Sequence, residues 1–234
     1  VYKRQAHYSR QRSIDEFTFP ALFARRTQAY RDAFGVTEEE IGHVAVKAYG
    51  NANKNPLAHM KAKTMTLDVA GSANDRNPCF LANEALNPYI KMSDCSQVSD
   101  GAAALVLVSE AGLSALGMSE ADVVEVAGVG HSVASLYADG DLTRLSTTAH
   151  AVNKAYASAG ISASDVDLAE VHDCFTMAEL LMYEAIGLAD KGQGYRLARE
   201  GSTRLDGAVP VNSGGGLIGF GHPVGATGIK QPLE

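Results

Sequence analysis

The sequence predicts an α/β architecture, and three observations carry that prediction. In the second part of the chain, short Val- and Leu-rich runs alternate with segments of helical period, the order expected of strands with helices packed on their sheet. Aromatic residues make up only 7% of the chain against 46% apolar, and 23 glycines suit close helix–sheet layers. At 234 residues the chain can bury a sizeable core, as one large domain or two small ones. No internal repeat and no low-complexity tract interrupts the pattern.

The elements follow in order. Residues 15–34 read as a helix through Phe19, Leu22, Phe23, Tyr30 and Phe34, stopping at Gly35. Thr37 followed by Glu38, Glu39 and Glu40 is a capping-box start, and the helix it opens should run to about Lys47. Asn51 to Pro56 is a turn-rich break, and residues 60–92 show turn clusters at Gly71–Asp75 and Asn87–Pro88. Ala102–Val108 reads as a buried strand, Ser109–Leu116 as a short helix, and Val123–Val129 as a strand. Ser146–Ala159 reads as a helix ended by Gly160. Asp167–Val171 reads as a strand running directly into a helix from about Phe175 to Gly187.

Composition excludes several classes. A net charge of −7 argues against a generic nucleic-acid binder, which carries a basic face. Three cysteines make no disulfide framework and fit a reducing compartment. No apolar stretch approaches the roughly 20 residues of a membrane span, and no signal-peptide core is present. The basic residues are uneven: Lys3, Arg4, Arg10, Arg12, Arg25, Arg26 and Arg31 face only Asp15 and Glu16 within residues 1–31. That excess reads either as a solvated helix face or as a segment facing phosphates. Val-Tyr-Lys-Arg-Gln at residues 1–5 resembles translated adaptor sequence and is left out of the fold reading. The chain begins without Met and stops inside what reads as a helix, so both ends read as cut.

Two segments concentrate chemistry. In Glu170–Glu179, Thr176-x-x-Glu179 reads as a capping box, which puts His172 and Cys174 in a tight strand-to-helix turn. Ligands commonly bind at that edge of an α/β sheet. A cysteine near a helix N-terminus, two residues from a histidine, should have its thiolate favoured by dipole and imidazolium. Position alone leaves a reactive pair and a buried structural pair equally open. In Asn212–Gly228, seven of seventeen residues are glycine, which should expose backbone amides to a ligand. Pro223 suits the first position of a helix, with His222 as its N-cap. A Gly-rich turn with a surface histidine is the plainer alternative. No Gly-Lys-Ser/Thr, spaced G-x-G-x-x-G, C-x-x-C, H-E-x-x-H or G-x-S-x-G is present, so phosphate-loop, zinc and serine-hydrolase readings find no support, and no metal is expected.

His172-Asp-Cys-Phe together with Gly221-His222-Pro223-Val-Gly-Ala-Thr-Gly228 resembles the thiolase superfamily, and more narrowly its sterol carrier protein type. Asp94-Cys-Ser-Gln-Val-Ser-Asp100-Gly101 matches the approach to the last strand of the family's N-terminal half. Lys47 through Asn55-Pro56-Leu-Ala-His59 resembles the loop-domain signature, with Ala48-Tyr49 where Asn-His is usual. The resemblance implies a layered αβαβα fold. Residues 1–93 would form part of a CoA-binding loop domain, 94–110 the last N-half strand, and 111–234 a truncated C-terminal domain.

The resemblance also implies an acyltransferase acting on 3-ketoacyl-CoA through an acyl-cysteine. His222 would activate the nucleophile, Cys174 would be the acid/base, and His172 would donate to the thioester oxyanion. Coenzyme A contacts would fall to Arg25, Arg26, Asn212, Gly214, Gly215 and Gly221, with no permanently bound cofactor. A homodimer is implied, in the cytoplasm, or in the peroxisome of a eukaryote. The family's nucleophilic cysteine has no counterpart here: Cys95 reads as buried before a strand, and Cys79 has no catalytic context. Turnover is therefore not expected of the isolated chain. The last two family strands are also missing, which would leave a sheet edge unpaired. A thiolase-like subunit that only holds acyl-CoA, and a relative cleaving steroid-CoA esters by retro-aldol chemistry, are the alternatives. His-Asp-Cys-Phe argues against the second.

Overall fold

The structure is a computed structural model and describes residues 13–135 and 140–234. Lys3, Arg4, Arg10, Arg12 and the adaptor-like residues 1–5 lie outside the described residues. Nine α-helices are described: α1 (Thr18–Phe34), α2 (Glu38–Ala52), α3 (Leu67–Ala70), α4 (Glu110–Leu116), α5 (Ser146–Ala159), α6 (Thr176–Ala185), α7 (Gly194–Glu200), α8 (Gly216–Gly219) and α9 (Thr227–Lys230). None is long and apolar enough to cross a membrane.

The helix starts and stops follow the local chemistry. Thr37 accepts from the Glu40 amide while the Glu40 carboxylate accepts from the Thr37 amide, so the capping box opens α2. Gly35 and Gly160 close α1 and α5 in the left-handed conformation that a C-cap favours. The helix α2 runs to Ala52, beyond the expected end at Lys47, because Asn51 turns inward and bonds the chain at Asn212. Ser109 caps α4.

At the centre of the fold, α2 lies against α3, α6, α7 and α8. Its apolar stripe of Ile41, Val44, Ala48 and Tyr49 meets Met177, Leu180 and Leu181 of α6, together with Val171, Val211 and Ile218. A second cluster joins Ala21 and Ala24 of α1 to Leu81, Leu86, Ile90, Phe175 and Ala178. Phe175 and Ala178 border one cluster while Val171 and Met177 border the other, so the 171–178 turn is held from both sides.

The expected strands are where the structure departs from the sequence pattern. Among the described residues, pairing is confined to isolated bridges: Ala169 with Val211 and Val98 with His222, both parallel, and Cys95 with Phe175, Cys79 with Lys91 and Asn74 with Asn77, all antiparallel. Residues 102–108 and 123–129 form no helix and pair with no neighbouring described strand. Val106 is 90% exposed and Val124 93%. Backbone groups form a ladder only where another strand runs alongside, and no described segment does so here. Asp167–Val171 keeps one parallel bridge, with the Ala169 amide donating to the Pro210 carbonyl (2.9 Å) and the Asn212 amide to Ala169 (2.9 Å).

Candidate active site

The turn 172–175 and the segment 212–228 meet at the end of the Ala169–Val211 bridge. Asn212 makes the join. Its left-handed backbone (φ 56°) is rare for a residue with a side chain, and its partners explain why it is tolerated. Its amide oxygen accepts from the Val171 amide (2.8 Å), its amide nitrogen donates to Glu179 Oε2 (2.8 Å), and its carbonyl accepts from Asn51 Nδ2 (3.0 Å).

Glu179, fully buried, also takes the ammonium of Lys47 and the hydroxyl of Tyr183. Lys47 Nζ donates in addition to the Val211 carbonyl (2.9 Å). One buried ion pair thus ties α2, α6 and the 211–212 turn. Sequence reasoning missed this network, although Lys47 and Asn51 stand four apart beside the apolar stripe of α2, a signal that could have found it.

Asp173 is the second clasp. It is completely buried, and its carboxylate accepts from the Leu217 (2.7 Å) and Ile218 (3.3 Å) amides at the head of α8. Gly216 is required there: it lies at φ +61°, and a Cβ on it would strike the Asp173 carboxylate. Burial, then the Glu179 charge, pushes Asp173 up to about 8 against the pull of those amides.

These clasps set His172, Cys174 and His222 in place. The His172 and His222 rings meet edge to face with centroids 5.1 Å apart. The His222 amide donates to the Gln97 carbonyl (3.1 Å), and its Nδ1 lies 2.7 Å from Thr227 Oγ1. Burial, then the neighbouring His172, lowers His222 to about 4, and burial lowers His172 as well. Both imidazoles are therefore neutral near pH 7. Cys174 follows His172 by two residues, and its carbonyl accepts from the Ser96 amide (2.9 Å). Phe23 stacks on Phe175 (4.4 Å), closing the α1 side.

Several expectations are corrected by this geometry. Cys174 is no thiolate: burial, then the Asp173 charge, pushes its thiol up to about 12, and a neutral His172 supplies no imidazolium. Thr176 and Glu179 form no capping box. Phe175 is the N-cap of α6 without a side-chain bond, Thr176 donates to Asp94 Oδ1 (3.0 Å), and Glu179 turns to Lys47. His222 caps no helix, because Pro223–Ala226 form a turn and α9 begins at Thr227.

The glycine-rich segment spends many of its amides within the fold. Ser213 donates to Glu170 (2.7 Å), Gly215 to the Asn212 carbonyl (3.0 Å) and Gly219 to Gly215 (2.8 Å). The Gly214 carbonyl accepts from Asn55 Nδ2 (3.2 Å), and Gly215 and Gly221 are buried. Among the residues assigned to coenzyme A, Asn212 is thus wholly engaged. Arg26 donates to the Leu142 (2.8 Å) and Arg144 (3.1 Å) carbonyls, whereas Arg25 is exposed. Burial raises the Cys95 thiol, whose sulfur lies 3.6 Å from the Lys91 carbonyl.

Comparison with known proteins agrees with the motifs. Residues 128–234 match the "Thiolase C-terminal domain-like" family. Acetyl-CoA acetyltransferase of Methanothermobacter thermautotrophicus is 35% identical over 217 residues, 93% of this chain and 54% of that protein. Human sterol carrier protein 2 is 29% identical, over 92% of this chain and 38% of its own length. The chain thus spans about half the length, or less, of these relatives. A solved structure described as "Ltp2-ChsH2(DUF35) aldolase" superposes with a TM-score of 0.77 at 22% identity, over 99% of this chain and 59% of that one, which shows a shared α/β fold. Motifs, fold and relatives coincide: residues 128–234 belong to the thiolase C-terminal domain-like family, and the chain as a whole is similar to thiolases.

Proposed function

We propose that this chain supplies the acid/base and oxyanion side of a thiolase-type acyl-CoA acyltransferase, cleaving 3-ketoacyl-CoA with coenzyme A or running the reverse condensation. The observation that carries the reading is the meeting of neutral His172 and His222 rings at 5.1 Å, two residues from a protonated Cys174. A neutral His222 can take a proton from a nucleophilic thiol, which a permanently charged ring cannot. His172 offers a ring N–H to the oxygen on which charge develops. Cys174 rests as the acid, the form that protonates the enolate released when the carbon–carbon bond breaks. The acyl-accepting cysteine comes from outside the matched residues. Residues 1–93 then belong to a CoA-binding loop domain, 94–110 to a strand of the N-terminal half and 111–234 to the C-terminal domain. Arg25, an exposed cation of the first segment, meets the cofactor's phosphates in this reading.

The test is exchange of the α-protons of acetyl-CoA into deuterated solvent, by a protein extended to the length of its relatives. Cys174→Ala should slow exchange by about a hundredfold or more, the usual contribution of a positioned acid/base group. Exchange at the parent rate would overturn the assignment. The 234-residue chain alone should give no thiolysis of acetoacetyl-CoA.

A further inference from the structure

A base must present a lone pair, and neutral histidine has two nitrogens on which to carry its single ring proton. We propose that Thr227 is a positioning residue that holds His222 as the Nδ1–H tautomer, leaving the lone pair on Nε2 for the reaction. The inference rests on the reading of His222 as the base and names what makes it one.

Thr227 Oγ1 lies 2.7 Å from His222 Nδ1 and 3.1 Å from the Pro223 carbonyl oxygen. A hydroxyl has one proton to give. Pro223 stands four residues before Thr227, and a threonine in a helix characteristically gives its proton to the carbonyl at that spacing. A carbonyl oxygen can only accept. With the hydroxyl proton on Pro223, a lone pair of Oγ1 faces Nδ1, and the short contact is a hydrogen bond only if Nδ1 carries the N–H. The opposite assignment sends the hydroxyl proton to Nδ1 and leaves two oxygens 3.1 Å apart with no proton between them.

The surroundings keep this geometry from relaxing. Thr227 is 2% exposed, and the Ala226 (2.8 Å) and Thr227 (3.0 Å) amides both donate to Pro223, fixing the start of α9. The His222 amide is held by Gln97 (3.1 Å), and the His172 ring stands at the other side. The ring is neutral at physiological pH, so the tautomer question is real and not masked by a second proton.

The experiment is long-range proton–nitrogen correlation on the 234-residue chain with 15N-labelled histidine at pH 7. His222 is identified by the signals lost in His222→Gln. The expected spectrum shows a protonated Nδ1 and an unprotonated Nε2. Thr227→Val, which keeps the shape and removes the hydroxyl, should move about half of the population or more to Nε2–H, the form a free imidazole side chain readily takes. Thr227→Ser should restore Nδ1–H. An Nε2–H ring in the parent chain, or an unchanged ring in Thr227→Val, overturns the proposal. If Thr227→Val does not fold, the parent and Thr227→Ser spectra decide alone. None of these measurements needs turnover, so an enzyme without acyl transfer would count against the proposed function and not against this one.

Discussion

Cys174 stands at the head of a helix two residues after a histidine, an arrangement that ordinarily favours a thiolate, yet it is held as a thiol. The dipole argument uses sequence neighbours, and it is legible in the chain. What decides the protonation state is first burial, which sequence neighbours do not reveal, and then the charge of Asp173, which adjoins Cys174 in the chain and opposes a second negative charge there. At this scale the sequence offers His172, Cys174 and His222 as candidates, while their charges are set by the fold. The thiol pushed up to about 12 predicts that alkylation of Cys174 by iodoacetamide, followed by peptide mass spectrometry, climbs about tenfold per pH unit from 7 to 10 without a plateau. A plateau below pH 9 would show a far more acidic thiol. His222 makes a second prediction. Its ring titrates near 4 in the folded chain against about 6.5 unfolded, so the unfolded state binds more protons between those values. Stability is therefore lost as pH falls from about 6.5 towards 4, and the ring costs nothing above that window. Because the ring is only half-buried, the loss should be on the order of 1–2 kcal/mol, less than the full shift implies. Urea unfolding at pH 7 and pH 5 measures it, and His222→Gln should remove that share of the pH dependence.

Helix α2 shows how an element can be read correctly and still hide its purpose. Its capping box, its start and its apolar stripe are all in the sequence, since each depends on residues a few positions apart. Its inward Lys47 and Asn51 are not explained by the helix at all. Their partners lie 132 and 161 residues away, at Glu179 and Asn212. The same distance explains the false capping box at Thr176. A pattern of Thr and Glu three apart is satisfied locally only when nothing buried competes, and here Asp94 and Lys47 do. Breaking one side of a buried ion pair leaves the other charge uncompensated, which typically costs about 3–5 kcal/mol. Lys47→Met should therefore lower the unfolding free energy by about that amount in urea titration. Lys47→Met/Glu179→Gln, neutral on both sides, should recover more than half of it. A single variant costing under about 1 kcal/mol would mean that the pair is not holding the turn.

Across the whole molecule, the legible and the hidden divide by where the partner of each segment lies. The α/β class rests in part on apolar runs at 102–108 and 123–129, and those runs are neither helical nor paired. Pairing, however, is not a property of one run. It needs a second backbone alongside, and the described residues bring none, so Val106, Val124 and Leu107 face solvent. Only one side of the second run is covered: Gly128 and Gly130 lie against Ala155 and Ala151 of α5. A row of unpaired amides flanked by exposed valines is a template for association with another chain. The 234-residue chain should therefore sediment as a monomer only at low concentration and self-associate as concentration rises. Its amides at 102–108 and 123–129 should exchange with deuterium within seconds, while those of α2, packed in the first apolar cluster, and of α6, which borders both, stay protected. Extension to the length of the relatives should slow exchange in both runs if their pairing partners lie there. Protection of 102–108 in the dilute, monomeric chain would show that these residues already have a partner, and the exposed-edge description would fall.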